Sequence, residues 1–183
     1  SLTLLSGVGV VSWLWINRLA NPPVADPTAG LMASAQNAFN RGDLSSAITL
    51  ARQLLMANSD DADALRLLTR SLIYRSYSEY NRTTDQQTAL DATTEVVNRL
   101  PTDSRILATH AFALQAVGRA NDAAAAAQRA LEKEPNDAFA RTALALAYGG
   151  AGALEAALRE SQRAVQNASG AEALDALRAL AIA

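Results

Sequence analysis

Cysteine is absent, histidine occurs once, and aromatic residues make up only 5% of the 183 positions. Without thiols the chain has no disulfide scaffold, thiolate metal site or cysteine nucleophile. A single imidazole leaves little for a zinc or acid–base centre, and so few aromatics argue against a β-sandwich or barrel. Charge of one sign is lacking too. Sixteen basic side chains face eighteen acidic ones, for a net charge of −2, so no basic field draws nucleic acid to the surface. Alanine is what abounds, at 41 positions, and it favours closely packed helices. The composition predicts an all-α chain that is not an enzyme, with no cofactor, metal, nucleic acid or small-molecule substrate.

Residues 1–17 carry no charge, and the stretch from Leu2 to Ile16 is apolar around its whole circumference. A helix of that kind has no face to offer water. Sixteen residues reach about 24 Å as a helix, against roughly 30 Å of hydrocarbon, so the span needs Leu19, Ala20 and a snorkelling Arg18 to complete it. Trp13 and Trp15 lie where an interfacial aromatic belt belongs. Residues 1–20 are therefore expected to form a single transmembrane anchor in contact with the lipid bilayer, in preference to a cleaved signal peptide, since no clean small-x-small site follows. Ser6, Gly9 and Ser12 would permit a close helix contact within the bilayer. Gly7-Val8-Gly9 is no phosphate loop, having neither a preceding strand nor a P-loop lysine. Residues 21–27 hold three of the five prolines and read as a stiff linker. The domain beyond it is placed on the extracytoplasmic, periplasmic side, with the cytoplasm, favoured by Arg18 alone, as the alternative.

Beyond the linker, small and large residues recur 34 positions apart. Ala111 pairs with Ala145, Gly118 with Gly152, Ala123 with Ala157 and Ala130 with Ala164, while Ala35, Gly42, Ala47 and Leu54 fill the corresponding slots upstream. That period indicates stacked helical hairpins. Small residues let paired helices approach, larger ones such as Leu107, Leu114 and Leu131 fill the faces between hairpins, and a glycine permits the positive φ at which the chain reverses. In these features the chain resembles the tetratricopeptide repeat (TPR) family. Gly42, Gly118 and Gly152 match the family's inter-helix turn glycine, Ala47, Ala123 and Ala157 its second-helix alanine, and Pro135 its closing proline. The resemblance spans residues 28–171 and implies a right-handed solenoid of about four hairpins, at 28–61, 62–103, 104–137 and 138–171, followed by a capping helix at 172–183 and preceded by the transmembrane helix.

The second hairpin departs from the pattern. Its closing Pro101 comes eight residues late and it has no turn glycine, so long helices are expected near 62–81 and 85–99. Tyr74, Tyr77 and Tyr80 then form a stripe on the first of these. The stripe either covers the lengthened hairpin or, at Tyr77 and Tyr80, projects towards a partner. In the third hairpin, the alanine run 123–127 reads as packing, and His110 as a core histidine satisfied by a neighbour.

The resemblance further implies that the first helices of successive hairpins line a concave, partner-binding groove. Its lining is expected to be Met32, Gln36, Phe39 and Asn40, then Arg66, Arg70, Ile73 and Tyr74, then Arg105, Thr109, Phe112 and Gln115, and finally Phe139 and Thr142. The arginines suit an acidic or carboxylate-bearing segment, unless they pair internally with Asp61, Asp63 or Glu79. Of the family's clamp for chaperone C-termini only Arg105 is matched, so that ligand is not expected. The resulting expectation is a membrane-anchored interaction protein, an accessory or stabilising subunit partnered by other subunits of a respiratory, photosynthetic, secretion or envelope complex. The alternatives are the scaffold part of a longer enzyme and a periplasmic, chaperone-like peptide binder.

Overall fold

The computed structural model describes residues 27–78, 82–170 and 172–182. Within them the chain is helical: α1 (Pro27–Asn40), α2 (Leu44–Ala57), α3 (Ala62–Ser78), α4 (Thr83–Arg99), α5 (Ser104–Ala116), α6 (Ala120–Lys133), α7 (Ala138–Gly150), α8 (Leu154–Asn167) and α9 (Glu172–Ile182). Among the described residues no helix is long and apolar enough to cross a membrane. The expected anchor, residues 1–20 with Trp13, Trp15 and Arg18, lies outside the described residues, as does linker 21–26. Pro27 opens α1, a position where the missing N–H costs nothing.

Local chemistry explains where the helices begin and end. Asp61, Asp103 and Asp137 stand before α3, α5 and α7, and each accepts two backbone N–H groups of the first turn at 2.8–3.1 Å. Such caps satisfy donors that the helix cannot pair itself. Gly42, Gly118 and Gly152 adopt φ of +79°, +81° and +78° between the helices of three hairpins, a conformation in which a Cβ would be strained. The second hairpin manages without a glycine. Its α3 and α4 run to 17 residues each, against 13 or 14 in the other hairpins. The end where α3 leads into α4 is tied by a two-pronged ion pair from Arg75 to Asp85, at 2.7 and 2.8 Å, and by a bond from Gln86 to Ser76.

Each helix packs on its chain neighbour, and the odd-numbered helices also pack on one another: α1 on α3, α3 on α5, α5 on α7 and α7 on α9. Among the described residues the even-numbered helices make no such contacts among themselves. A row whose members touch lies on the inside of a curve, so α1, α3, α5, α7 and α9 form the concave wall. The core between the rows is built of alanine at close approaches, among them Ala47, Ala111, Ala123, Ala143 and Ala157, with Leu72, Ile106, Leu107 and Phe139 filling the wider gaps. In the alanine run, Ala123, Ala126 and Ala127 are buried and Ala125 is exposed.

Candidate functional site

Four aromatic rings, one from each odd-numbered helix α1 to α7, run along the concave wall. Phe39 and Tyr74 have ring centroids 5.8 Å apart, Tyr74 and Phe112 6.4 Å, and Phe112 and Phe139 5.2 Å. Phe39 lies at the end of α1 and Phe139 at the start of α7, so the ladder crosses the groove on a diagonal. Two guanidinium groups of α3 lie on it: Arg70 is 4.5 Å from the Phe39 centroid and Arg66 4.7 Å from that of Phe139. Stacking of this kind holds a cation at a partly desolvated surface through the ring quadrupole.

The same arginines meet the last helix. Arg66 Nη1 lies 2.6 Å from Glu172 Oε1 and its Nη2 3.9 Å from Asp137, while Arg70 Nη2 lies 2.8 Å from Asp175 Oδ2. The Tyr74 hydroxyl also donates to Asp175, and Arg178 covers the Tyr74 ring at 4.4 Å. The internal partners expected for Arg66 and Arg70 were Asp61, Asp63 or Glu79; the partners found are Asp137, Glu172 and Asp175. Of the expected pairs, Asp63 meets Arg105, at 3.5 Å on the exposed rim, and Glu79 lies outside the described residues. No Cα atoms of α3 and α9 approach within 8 Å among the described residues. The curve of the solenoid brings the two helices to opposite sides of the groove, and long side chains span the gap.

Burial shapes the electrostatics. The Arg70 and Asp175 side chains retain 4% and 1% of their exposure. Burial lowers the pKa of Arg70 against the pull of Asp175 and Glu172. It raises that of Asp175 to about 6, against the pull of Arg70 and Arg178. Both shifts have one cause, the removal of charge from water into a site where few dipoles replace it.

The bridge divides the concave space. On one side a pocket of about 400 Å3 is bordered by Met32, Gln36, Arg66 and Glu172. On the other a cleft of about 830 Å3 is bordered by Phe39, Asn40, Ile73, Tyr74, Tyr77, Phe112, Gln115, Leu146 and the α9 residues Leu174, Arg178 and Ile182. The groove residues expected on α1 and α3, with Phe112 and Gln115, therefore converge on these two spaces. Thr109, Thr142 and Phe139 are buried, and both threonine hydroxyls bond to carbonyls of their own helices. Tyr77 is 55% exposed at the cleft; Tyr80 lies outside the described residues. His110 is half-buried with Nδ1 3.0 Å from Thr93 Oγ1, and burial, with Arg119 and Arg129 nearby, lowers its pKa. Among the described residues no cluster of three metal-ligating side chains occurs.

Glu172, Asp175 and Arg178 were not among the expected groove residues. Their spacing of three along one helix is legible, but Leu174 and Leu177 beside them point a sequence reader to the opposite face as the buried one. In the structure α9 buries Asp175, Ala176 and Ala179 and leaves Leu174 and Leu177 64% and 51% exposed.

No protein-family model matches the sequence, and no curated protein matches it. Solved structures do. A thermophilic TPR protein of Thermus thermophilus, TTC0263, aligns with a TM-score of 0.68 at 18% identity, over 94% of this chain and 88% of that one. MamA residues 41 to the end from Desulfovibrio magneticus RS-1 aligns with a TM-score of 0.52 at 21% identity, over 78% of this chain and 76% of that one. At such identities the likeness is one of fold, and the described part of the chain has the tetratricopeptide-type fold of stacked helical hairpins.

Proposed function

We propose that the chain is a non-catalytic interaction scaffold, holding another protein in its concave groove as an accessory or stabilising subunit of a membrane complex. The observation that carries this reading is the open cleft of about 830 Å3 on the concave wall, bordered by Tyr74, Tyr77, Gln115 and Arg178 beside the largely buried rings of Phe39 and Phe112. Large, rigid rings and guanidinium groups are the side chains that concentrate binding energy in protein interfaces. The polar groups at the wall are held in ion pairs and cation–π contacts, an arrangement that binds and orients without a nucleophile or base. The apolar leader at residues 1–20 would tether the array to a bilayer, and the TPR domain is proposed to stand on its periplasmic side.

A photo-crosslinking residue placed at Gln36 and Gln115, on the groove, and at Arg52 and Gln128, on exposed positions of α2 and α6, tests the reading in the cells of origin. One protein crosslinked from both groove positions and from neither control is the expected outcome. Equal crosslinking from all four positions, or none from the groove, would remove the scaffold role. Retention of the chain in membranes through alkaline carbonate washing, lost on deletion of residues 1–20, tests the tether, and protease protection its side.

A further inference from the structure

The last helix is docked in an unusual way for an apolar-rich segment. It leaves Leu177 exposed and Leu174 exposed on the border of the cleft, and turns Asp175, with Ala176 and Ala179, inwards. The helix packs on α7 and α8 and buries Ala176 and Ala179, whereas its contacts with α3 across the groove are electrostatic: Glu172 on Arg66, Asp175 on Arg70 and Tyr74, and Arg178 on the Tyr74 ring. A buried ion pair is selective about its geometry and contributes little net stability once desolvation is counted. The helix also fills the groove incompletely, leaving the cleft of about 830 Å3 along Phe39, Ile73, Tyr77 and Leu146.

Resting on the scaffold reading, we infer that α9 is a resident stand-in for the groove's partner. The segment that replaces it is an amphipathic helix of another protein with two carboxylates one turn apart, followed by large apolar side chains. The carboxylates take the places of Glu172 and Asp175 on Arg66 and Arg70. The apolar side chains enter the cleft that α9 leaves open, and this additional burial lets a separate helix compete with a tethered one. Charge complementarity selects the acidic helix: α3 supplies two cations on aromatic faces, and α9 shows which spacing of carboxylates they accept. The linker to α9 contains Gly170, with φ of +54°, next to Ser169 at the rim of the smaller pocket.

The test uses the full chain and a fluorescent, helix-stapled peptide of residues 172–182 carrying Ala181→Leu, which adds a larger apolar side chain at a position that lines the cleft. The peptide is expected to bind at least tenfold more tightly to the chain carrying Glu172→Lys and Asp175→Lys, in which like charges drive α9 from Arg66 and Arg70, than to the unaltered chain. Binding to both is expected to be lost when Arg66 and Arg70 are replaced by methionine. In the unaltered chain, saturating peptide should raise amide exchange in 172–182 while leaving α7 protected, a readout that needs no variant to fold. Absence of binding, binding indifferent to the two methionines, unchanged exchange in α9, or equal binding of an extended peptide carrying Ala173→Pro and Ala176→Pro would each overturn the inference. A partner crosslinked at the groove without peptide binding would sink the acidic helix and leave the scaffold standing. Peptide binding without a crosslinked partner would do the reverse.

Discussion

Arg70 Nη2 and Asp175 Oδ2 lie 2.8 Å apart, both almost wholly buried, and they join the first helix of the second hairpin to the last helix of the chain. No backbone contact supports this junction among the described residues. The pair thereby reports on the curvature of the whole array, because any change in the pitch of the intervening hairpins moves one partner away from the other.

Removing one partner leaves a buried charge alone, which costs about 3–5 kcal/mol where the site cannot open. Asp175→Ala is expected to raise hydrogen exchange throughout 172–182 and to lower the urea midpoint, the loss being limited by the free energy that docks α9. The double variant Arg70→Met with Asp175→Leu should recover much of that loss. A double variant as unstable as the sum of the singles would show that the pair does not act as a unit.

The docking of α9 should strengthen as pH falls. Asp175 has a folded pKa of about 6, above its ordinary 3.8, so between these values the folded state binds more protons than the unfolded one. Stability from this group is fully present below about pH 4 and is lost as pH rises through 6. Amide protection of 172–182, measured from about pH 4.5 to about 7.5 and corrected for intrinsic exchange, should decline along this course. In Asp175→Asn the decline should disappear; an equal slope in the variant would assign it to another group.

Two glycines make opposite forecasts. Gly118 has φ of +81° with open space where a Cβ would stand, so strain alone opposes a side chain there. Gly118→Ala should cost about 1–2 kcal/mol. Gly30 lies within α1 and also faces open space, so Gly30→Ala should stabilise by up to ~1 kcal/mol through backbone entropy. Denaturation midpoints moving in the same direction for both would contradict the assignment.

Asp103 accepts the amides of Arg105 and Ile106 at 3.0 and 3.1 Å. Asp103→Ala is expected to lose about 1 kcal/mol, and Asp103→Asn, which keeps an acceptor, to regain most of it. Thermal unfolding of the three chains at one pH distinguishes loss of a cap from loss of a charge: if Asn performs no better than Ala, the charge mattered.

The helical hairpins were legible in the sequence because their causes are local and repeat. A glycine at 42, 118 and 152 reverses the chain wherever its neighbours have the same small and large residues, and Ala47, Ala123 and Ala157 permit close approach in each copy independently of the others. The long second hairpin was also marked by its missing glycine and late Pro101. The ion pairs that close its end, Arg75 on Asp85, depend on the register of two helices whose connection carries no such signal.

The sequence by itself determined the repeating unit, the arginines and aromatics on the odd-numbered helices, and the apolar character of residues 1–20. Only the tertiary structure decided that Arg66 and Arg70 face Glu172 and Asp175. That meeting depends on the rotation accumulated from hairpin to hairpin, a sum over every interface in the stack to which no single residue or spacing corresponds. For the same reason the buried face of α9 was not legible: which face of a terminal helix is buried is set by where the curve of the array delivers it, and here it delivers a carboxylate to a waiting guanidinium.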